Sequence, residues 1–355
     1  MRVRPILEWL RARHRVTLLC ADHFPALSKT RPGFWQRLRG LADFSHPCEF
    51  RPAFEDAVRD VVQAEQFDAL LPIGAAMLQY IPPEPRVVVA DLVDEPVLSA
   101  LRDLKALRGR AALLMAKHAV SSYLYERRWQ PRLAAAIVVS ERDARMARRV
   151  LPGVPVRRIA NGVDAAYFCP SPHAPTANEI VFSGNMGFAP NISAALYFAD
   201  RVFPLIRRLQ PPAHWTIVGS QPHPAILALQ EREGISVTGW VPDIRPWVQR
   251  ASVYVSPLVA GSGIKNKVLE AWAMQKAVVA TPLGCAGICA RDGHNILVAN
   301  NAAEFAEKTV ALLRDVQRAD TLGREARRTV EAEYRWQDKA AEVETLLLDA
   351  VRQSA

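Results

Sequence analysis

Apolar residues follow two patterns along this chain, short continuous runs and longer segments in which they recur every three or four positions. The runs at 69–72 and 87–90 are continuously apolar, which predicts strands buried on both faces of a parallel sheet. Amphipathic segments such as 54–65 predict helices between such strands. Strand and helix therefore alternate, and this alternation is typical of a doubly wound α/β fold.

The alternation occurs twice, on either side of a proline-rich stretch. Pro170, Pro172 and Pro175 fall within 165–178, which predicts a linker. We therefore expect two Rossmann-like domains facing across a cleft. Their predicted limits are 1–165 for the N-terminal domain, 166–178 for the linker, 179–335 for the C-terminal domain and 336–355 for a final helix.

The start of the chain is unusual for such a domain. A helix is predicted over 4–13 and a strand over 16–20, whereas doubly wound domains open on a strand and a glycine-rich turn. We therefore expect the first strand of the N-terminal domain to be missing. The next stretch, 21–52, is rich in proline, arginine and aromatic residues such as Phe24, and it is either a membrane-facing loop or irregularly packed chain.

The most informative stretch runs from Val253 to Thr281. It predicts a strand, a loop with Gly261, Ser262 and Gly263, a helix that begins near Ile264, and a second strand. The glycines allow the backbone to approach a ligand closely. The helix N-terminus carries unpaired N–H groups and a partial positive charge, and both favour phosphate.

Two charged side chains share one face of that predicted helix. Lys267 and Glu270 are three positions apart, so a cation for phosphate lies beside a carboxylate for sugar hydroxyls. This arrangement favours a nucleotide-sugar site. The alternative is a solvated ion pair of little consequence.

Several motifs together resemble the family 4 retaining glycosyltransferases, and most closely the bacterial branch associated with exopolysaccharide and exosortase systems. The resemblance extends over nearly the whole chain and is strongest after Val156. The motifs are Gly263-Ile264-Lys265-Asn266-Lys267-Val268-Leu269-Glu270-Ala271, Asn161-Gly162-Val163-Asp164, Ser183-Gly184-Asn185-Met186 with Pro190-Asn191, Val218-Gly219 and Gly239-Trp240-Val241.

The resemblance implies the glycosyltransferase B fold, with the final helix crossing back to the first domain. It also implies transfer of a hexose, with retention, from a nucleoside-diphosphate sugar to a polysaccharide, a lipid-linked glycan or another acceptor. In this interpretation Lys267 and the amides of Gly261, Ser262, Gly263 and Ile264 bind the diphosphate, and Glu270 binds the ribose. Gly184, Asn185 and Gly219 would then line the base and phosphate pocket.

Two features depart from the family pattern. Ser262 stands where the family has the first of two glutamates, so the donor sugar is the part of the ligand that the resemblance leaves open. Asp91 and Asp94 follow the predicted strand 87–90, at an edge where the family often has a histidine and its exopolysaccharide branch a pair of aspartates, so the histidine's role does not carry over. We expect Asp94, or Asp91, to orient the acceptor, and we group Asp94 with Lys267 and Glu270 as catalytic residues. The alternative role of both aspartates is to cap the next helix.

Charge and composition restrict the partners. The formal net charge is +9, and a long basic helix is predicted over 101–132, with Leu107, Leu113 and Leu114 on its buried face. We expect an anionic membrane surface or a polyanionic donor as partner and no nucleic acid, because no recognition motif is present. The alternatives are a solvated helix face and a generally basic surface without a specific partner.

Other features argue for a cytoplasmic protein without a metal or cofactor. No apolar run is long enough to span a membrane, and the five cysteines (Cys20, Cys48, Cys169, Cys285 and Cys289) show no C-x-x-C spacing, so we expect free thiols. No G-x-G-x-x-G follows a predicted strand, which argues against a dinucleotide oxidoreductase. Two alternatives stay open, a degenerate, non-catalytic glycosyltransferase-like binding protein and an epimerase or phosphorylase on the same fold.

The absence of an Asp-x-Asp motif from the sequence predicts that transfer requires no divalent metal. Activity is expected to survive an excess of chelator, as measured by sugar transfer before and after its addition. A complete loss that magnesium restores would contradict this prediction.

Overall fold

The computed structural model describes residues 3–23, 50–83, 87–106, 108–261 and 263–354. The chain forms two compact units. The first contains Met1–Ala160 together with Gln337–Ala355, and the second contains Asn161–Trp336. Each unit is built on a parallel β-sheet with helices between the strands.

The first unit has a four-stranded sheet in the order β1-β2-β3-β4, and all neighbouring strands are parallel. The inner strands β2 and β3 are almost entirely buried, as the apolar run 87–90 predicts for β2. Strand β1, from the run 69–72, is only half-buried. The strands are β1 (Ala69–Leu70), β2 (Val87–Val93), β3 (Ala135–Val138) and β4 (Val156–Arg158). The helices are α1 (Val3–Arg11), α2 (Pro52–Ala64), α3 (Pro96–Ala106), α4 (Gly109–Trp129) and α5 (Glu141–Val150).

The second unit has a six-stranded parallel sheet in the order β10-β9-β8-β5-β6-β7. The strands are β5 (Glu179–Ser183), β6 (His214–Val218), β7 (Ile235–Val237), β8 (Val253–Ser256), β9 (Val278–Ala280) and β10 (Leu297–Val298). The helices are α6 (Ala189–Tyr197), α7 (Phe203–Leu209), α8 (Pro224–Leu227), α9 (Arg245–Arg250), α10 (Asn266–Ala273), α11 (Ala302–Arg314) and α12 (Val316–Glu333). The core between sheet and helices is rich in aromatic residues, such as Phe198 and Trp215.

The last helix, α13 (Trp336–Ser354), carries the C-terminal residues that belong to the first unit. Glu344 of α13 accepts a hydrogen bond from Trp9 of α1 at 2.8 Å and lies 2.6 Å from His14. These contacts attach the C-terminal end of the chain to its N-terminal helix.

The proline-rich stretch 165–178 contains neither helix nor strand. Its backbone packs on the second unit, because the carbonyl groups of Ala165 and Phe168 accept hydrogen bonds from Arg327 of α12. The amide of Thr176 donates to the carbonyl of Arg250.

Two predictions about the first unit are wrong. Residues 16–20 form no strand and pair with no other strand in the described part of the chain. Leu18 is 46% exposed, so the local β-propensity is not supported by burial there. The predicted helix 101–132 is two helices, α3 and α4. They are separated at Gly109, whose φ of +60° is easily adopted by glycine.

The predicted buried face of the long helix is also wrong. Leu113 and Leu114 of α4 are 73% and 66% exposed, and residues such as Ala119 and Tyr125 face the interior instead. Leu107 lies outside the described residues, as do Phe24 and Cys48.

None of the described helices combines the length and hydropathy of a membrane span. The described cysteines, Cys20, Cys169, Cys285 and Cys289, all carry free thiols.

The interior of the first unit contains carboxyl groups that the sequence did not predict. Glu126 of α4 is fully buried, and neither of its carboxylate oxygens has a hydrogen-bond partner among the described residues. Burial raises the pKa of Glu126 well above its ordinary value, and the nearby Glu95 raises it further. Burial likewise raises the pKa of Glu95 to about 7, although amide hydrogen bonds from Leu98 and Val97 oppose this shift. Both carboxyl groups therefore bind a proton more tightly in the folded protein than in the unfolded chain.

This proton binding predicts how stability depends on pH. Above about pH 4.5, carboxyl groups in the unfolded chain lose their protons while Glu95 and Glu126 keep theirs, so the free energy of unfolding falls as pH rises through 7. Glu126→Gln removes one of these groups. The variant is expected to lose less melting temperature between pH 5 and pH 8 than the parent, by roughly 3 °C or more.

Thermal melts at both pH values measure this difference. Glu141→Gln is the control, because Glu141 is exposed on α5 of the same unit. If Glu126→Gln melts below the parent by the same amount at pH 5 and at pH 8, the Glu126 side chain has only a packing role.

Candidate functional site

The strand order of the second unit places a crevice beside β5 and β8. The chain runs outward from β5 to β6 and β7 on one side and from β8 to β9 and β10 on the other. In open α/β sheets, ligands bind outside the carboxyl ends of the strands at such a switch point. The loops that leave β5 and β8 here carry Gly184-Asn185 and Gly261–Lys267, so the structure brings most of the predicted donor-binding residues to one edge of one sheet.

Two glycines at this edge lie in direct backbone contact. Gly184 and Gly219 have φ values of +152° and +153°, and a Cβ atom on Gly219 would lie only 1.6 Å from the carbonyl oxygen of Gly184. The amide of Gly219 also donates to the carbonyl of Gly239 at 3.2 Å. The loops after β5, β6 and β7 therefore form a continuous floor without side chains, which we call the glycine floor (Gly184, Gly219 and Gly239).

Lys267 lies next to this floor, in the first turn of α10. A Cβ atom on Gly184 would lie 3.0 Å from Lys267 Nζ, so a side chain there would occupy the space beside the ammonium group. Lys267 Nζ donates to Asn191 Oδ1 at 2.5 Å and lies 4.6 Å from the centroid of the Phe182 ring. No carboxylate oxygen of the described residues lies within 4.0 Å of Lys267 Nζ.

The surroundings of Lys267 disfavour its charge. Burial lowers the pKa of Lys267 to about 7, the neighbouring Lys265 lowers it further, and Glu270 opposes both effects. Among the described residues, no side chain caps the N-terminus of α10, so its first amides and its dipole are also directed to this region. The site therefore presents positive potential that the nearby Glu270 balances only in part.

Glu270 lies one turn further along α10. Burial raises the pKa of its carboxyl group to about 7, while Lys267 opposes this shift. No donor to this carboxylate is found in the part of the chain that the structure describes. Its oxygens are thus available as acceptors for hydroxyl groups.

The glycine loop before α10 has left-handed backbone at Gly261 (φ +105°) and Gly263 (φ +74°). Lys265 is buried and donates from Nζ to the carbonyl of Gly263 at 3.0 Å. The backbone of Lys265 is not helical (φ −91°, ψ 70°), so α10 begins at Asn266, two residues after the predicted start near Ile264. Ser262 lies outside the described residues.

The predicted turn at Asn161 and Gly162 has a second contact that the sequence did not suggest. Gly162 packs so closely on Trp336 that a Cβ atom would lie 2.7 Å from its ring. Asn161 Nδ2 donates to Asn266 Oδ1 at 3.1 Å. The turn thus contacts the first residue of α10 and helps to fix the start of that helix.

Asn191 is the functional residue that the sequence indicated least. The sequence motifs include Asn191 only as part of Pro190-Asn191, and they indicate no role for its side chain. In the structure it lies on α6, contacts Lys267 and Asn185 at once, and is itself almost fully buried.

The aspartates of the first unit occupy different environments. Strand β2 continues to Val93, so Asp91 lies within the strand and is buried, and its Oδ1 accepts from the amide of Val93 at 3.1 Å. Asp94 follows the strand and is exposed. The alternative capping role is wrong for the first turn of α3, because Glu95 accepts the hydrogen bonds from the amides there.

Among the described residues, no group of three or more histidine, cysteine or acidic side chains is arranged to hold a metal ion. That transfer requires no divalent metal stays a prediction.

Comparison with known sequences gives one match to a family and one to a curated protein. Residues 177–315 match the family model described as glycosyl transferases group 1. The chain is 21% identical over 140 residues to a Klebsiella pneumoniae protein described as an uncharacterized 44.6 kDa protein in the cps region. That match covers 37% of this chain and 36% of the relative, so the chain spans about a third of the relative's length.

Two solved structures show the same architecture. Sucrose-phosphate synthase from Thermosynechococcus elongatus is similar with a TM-score of 0.70 and 15% identity, over 98% of this chain and 92% of that protein. TarM from S. aureus, in complex with UDP and α-GlcNAc-glycerol, is similar with a TM-score of 0.65 and 14% identity, over 84% of this chain and 60% of that protein. At these identities the likeness shows the fold. The chain has the two-domain, Rossmann-like fold of glycosyltransferases, as the sequence predicted.

Proposed function

We propose that this protein is a retaining glycosyltransferase that transfers a hexose from a nucleoside-diphosphate sugar to a glycan or lipid-linked acceptor. The observation that carries the proposal is Lys267, an ammonium group at an uncapped helix N-terminus beside the glycine floor, with no carboxylate against it. The family match covers this segment, and the similar TarM binds UDP.

The chemistry follows from where negative charge develops. When the bond between sugar and diphosphate breaks, charge builds on the departing diphosphate, and preorganised positive groups stabilise it. Lys267, the amides of the loop 261–264 and the dipole of α10 supply these groups. Bound phosphate also raises the pKa of Lys267, so that the lysine is fully protonated when the donor is in place.

The other predicted residues take complementary roles. Glu270, one turn along α10, accepts hydrogen bonds from the ribose hydroxyls. The glycine floor lets the nucleotide lie directly on the backbone. Asp94 of the first unit orients the acceptor, and a relative in a cps region supports a glycan as that acceptor.

Lys267→Ala and Glu270→Ala are expected to affect transfer differently. Lys267→Ala removes stabilisation of a charge that grows during bond breaking, so it should lower kcat by about 10²-fold or more. Glu270→Ala removes hydrogen bonds that are present before and during the reaction, so it should mainly raise the KM for the donor. Initial rates with UDP-, GDP- and dTDP-linked hexoses, as a function of donor concentration, measure both effects.

Arg318→Ala is the matched control, because it removes one exposed positive charge from α12 of the same unit. Parent rates and unchanged donor affinity in both test variants would place the site elsewhere. Release of free nucleoside diphosphate without any acceptor would indicate hydrolysis or an epimerase-like reaction instead of transfer.

We also infer that the outer face of α4 docks on an anionic membrane surface. Its exposed apolar side chains are Leu113, Leu114, Val120, Tyr123 and Leu124. Basic residues accompany them along the helix and at its N-cap: Arg108, Arg110, Lys117, Arg127 and Arg128. The acidic residue of α4, Glu126, is buried inside the unit. The outer face is thus apolar and positively charged, which suits a bilayer with anionic headgroups.

The double variant Leu113→Ser/Leu114→Ser is expected to lose most binding to vesicles that contain phosphatidylglycerol. Sedimentation with these vesicles, and with phosphatidylcholine alone, measures the effect, and added salt should weaken binding of the parent. Val316→Ser is the control, since Val316 is 67% exposed at the start of α12. Equal binding to both kinds of vesicle, or no effect of the double variant, would contradict the proposal.

A further inference from the structure

Lys267 has one hydrogen-bond partner for its ammonium group among the described residues, and that partner is a neutral amide. Asn191 Oδ1 lies 2.5 Å from Lys267 Nζ, although the two residues are 76 positions apart in the chain. Asn191 is almost fully buried on α6, and its own backbone amide donates to the carbonyl of Phe188 at 2.9 Å. The side chain that holds the lysine is therefore itself fixed.

The hydrogen bond of the Asn191 side-chain NH₂ group determines which atom of the amide faces Lys267. Asn191 Nδ2 donates to the carbonyl oxygen of Asn185 at 2.8 Å, which only the NH₂ group can do. The oxygen must therefore point to the ammonium group. Because Asn185 follows Gly184, this one side chain joins the loop after β5 to the helix after β8.

A neutral acceptor and a carboxylate would have opposite consequences here. A carboxylate would form a buried ion pair with Lys267. An incoming phosphate would then have to displace this carboxylate from the lysine and bind against its repulsion. The amide oxygen orients the ammonium group and leaves its full charge for an anion. An asparagine in this place thus favours a site whose ligand brings the negative charge.

We propose that Asn191 is a positioning residue that holds Lys267 in place, without neutralising it, for the diphosphate of the donor. This inference rests on the proposed function. It also assigns to Asn191 the coupling between the loop after β5 and the start of α10, since its two hydrogen bonds join Asn185 and Lys267.

The pH dependence of binding follows from the groups around Lys267. Lys265 from the preceding loop disfavours its charge, and Glu270 from α10 favours it. Tyr254 of β8 is buried, hydrogen-bonds Ser183 and has a raised pKa, so it is neutral throughout the range of interest. Because burial lowers the pKa of Lys267 to about 7, Lys267 takes up a proton as a diphosphate binds, and the affinity of the diphosphate should fall as pH rises above 7.

Isothermal titration with UDP, GDP and dTDP, from about pH 6 to about pH 9, tests the proposal. In the parent, the affinity of the tightest binder should fall by about a hundredfold over this range, because a lysine with a pKa of about 7 is almost fully deprotonated at pH 9. Asn191→Asp should weaken it by about tenfold at neutral pH and move the fall to higher pH, because the carboxylate keeps Lys267 protonated and competes with phosphate. Asn191→Ala should instead lower the transfer rate and leave the midpoint of the pH profile close to that of the parent.

Asn301→Asp is the matched control, since it introduces the same charge at the N-cap of α11, where aspartate and asparagine cap equally well. Parent affinity and parent pH profile in Asn191→Asp would overturn the role of Asn191, and so would parent transfer rates in Asn191→Ala. If Lys267→Ala abolishes nucleotide binding while both Asn191 variants match the parent, only this inference fails. If the parent binds none of the three nucleotides, the proposed function fails with it.

Discussion

The contact between Gly184 and Gly219 is the constraint on which the candidate site depends. Two backbone segments that leave neighbouring parallel strands approach until no Cβ atom fits between them. Because neither residue carries a side chain, the carboxyl edge of the sheet stays open above β5 and β6. Lys267 can then lie against Gly184 from the side of β8. An alanine at Gly219 would push the two loops apart, and an alanine at Gly184 would fill the space beside the lysine.

The lysine is held there at a cost in its own ionisation. Burial and a second lysine, Lys265, lower its pKa to about 7, and Glu270 opposes this shift only in part. A surface lysine paired with a carboxylate would keep its charge but would present little positive potential to a ligand. The arrangement carries an electrostatic cost that an anion would relieve, which is the pattern expected of a binding site and not of a structural ion pair.

The sequence predicted local features of this site well and long-range features poorly. Glycine spacing and helical periodicity placed the loop at Gly261 and Gly263 and put Lys267 and Glu270 on one helix face, because these relations depend only on residues close together in the chain. The contact between Lys267 and Asn191 joins two βα loops that become neighbours only when β5 and β8 pair.

The errors in the first unit have the same origin. Periodicity identified the apolar face of 101–132, but Leu113 and Leu114 show that an apolar stripe does not reveal which side of a helix meets the core. Glu126, placed in the interior by α4, could not be distinguished by sequence from a solvated acid. At 16–20, β-propensity predicted a strand whose partner the described chain does not supply.

The structure at the carboxyl end of β2 explains why Asp94, and not Asp91, stays the candidate for orienting the acceptor. Asp91 is buried, whereas Asp94 is exposed. The register of β2 against β3 shifts between Asp91 and Val93, and Val93 has a φ of +65°. This conformation is rare for a β-branched residue and costs on the order of 1–3 kcal/mol. The Asp91 carboxylate stabilises it by accepting from the Val93 amide, so Asp91 supports the backbone while the exposed Asp94 follows it. A regular strand would have no such strain. A bulge at the end of a strand, however, changes the direction in which the next side chain points. The two aspartates therefore differ in role. Asp91 stabilises the bulge from within, and Asp94 is the exposed carboxylate that follows the bulge at the edge of the sheet.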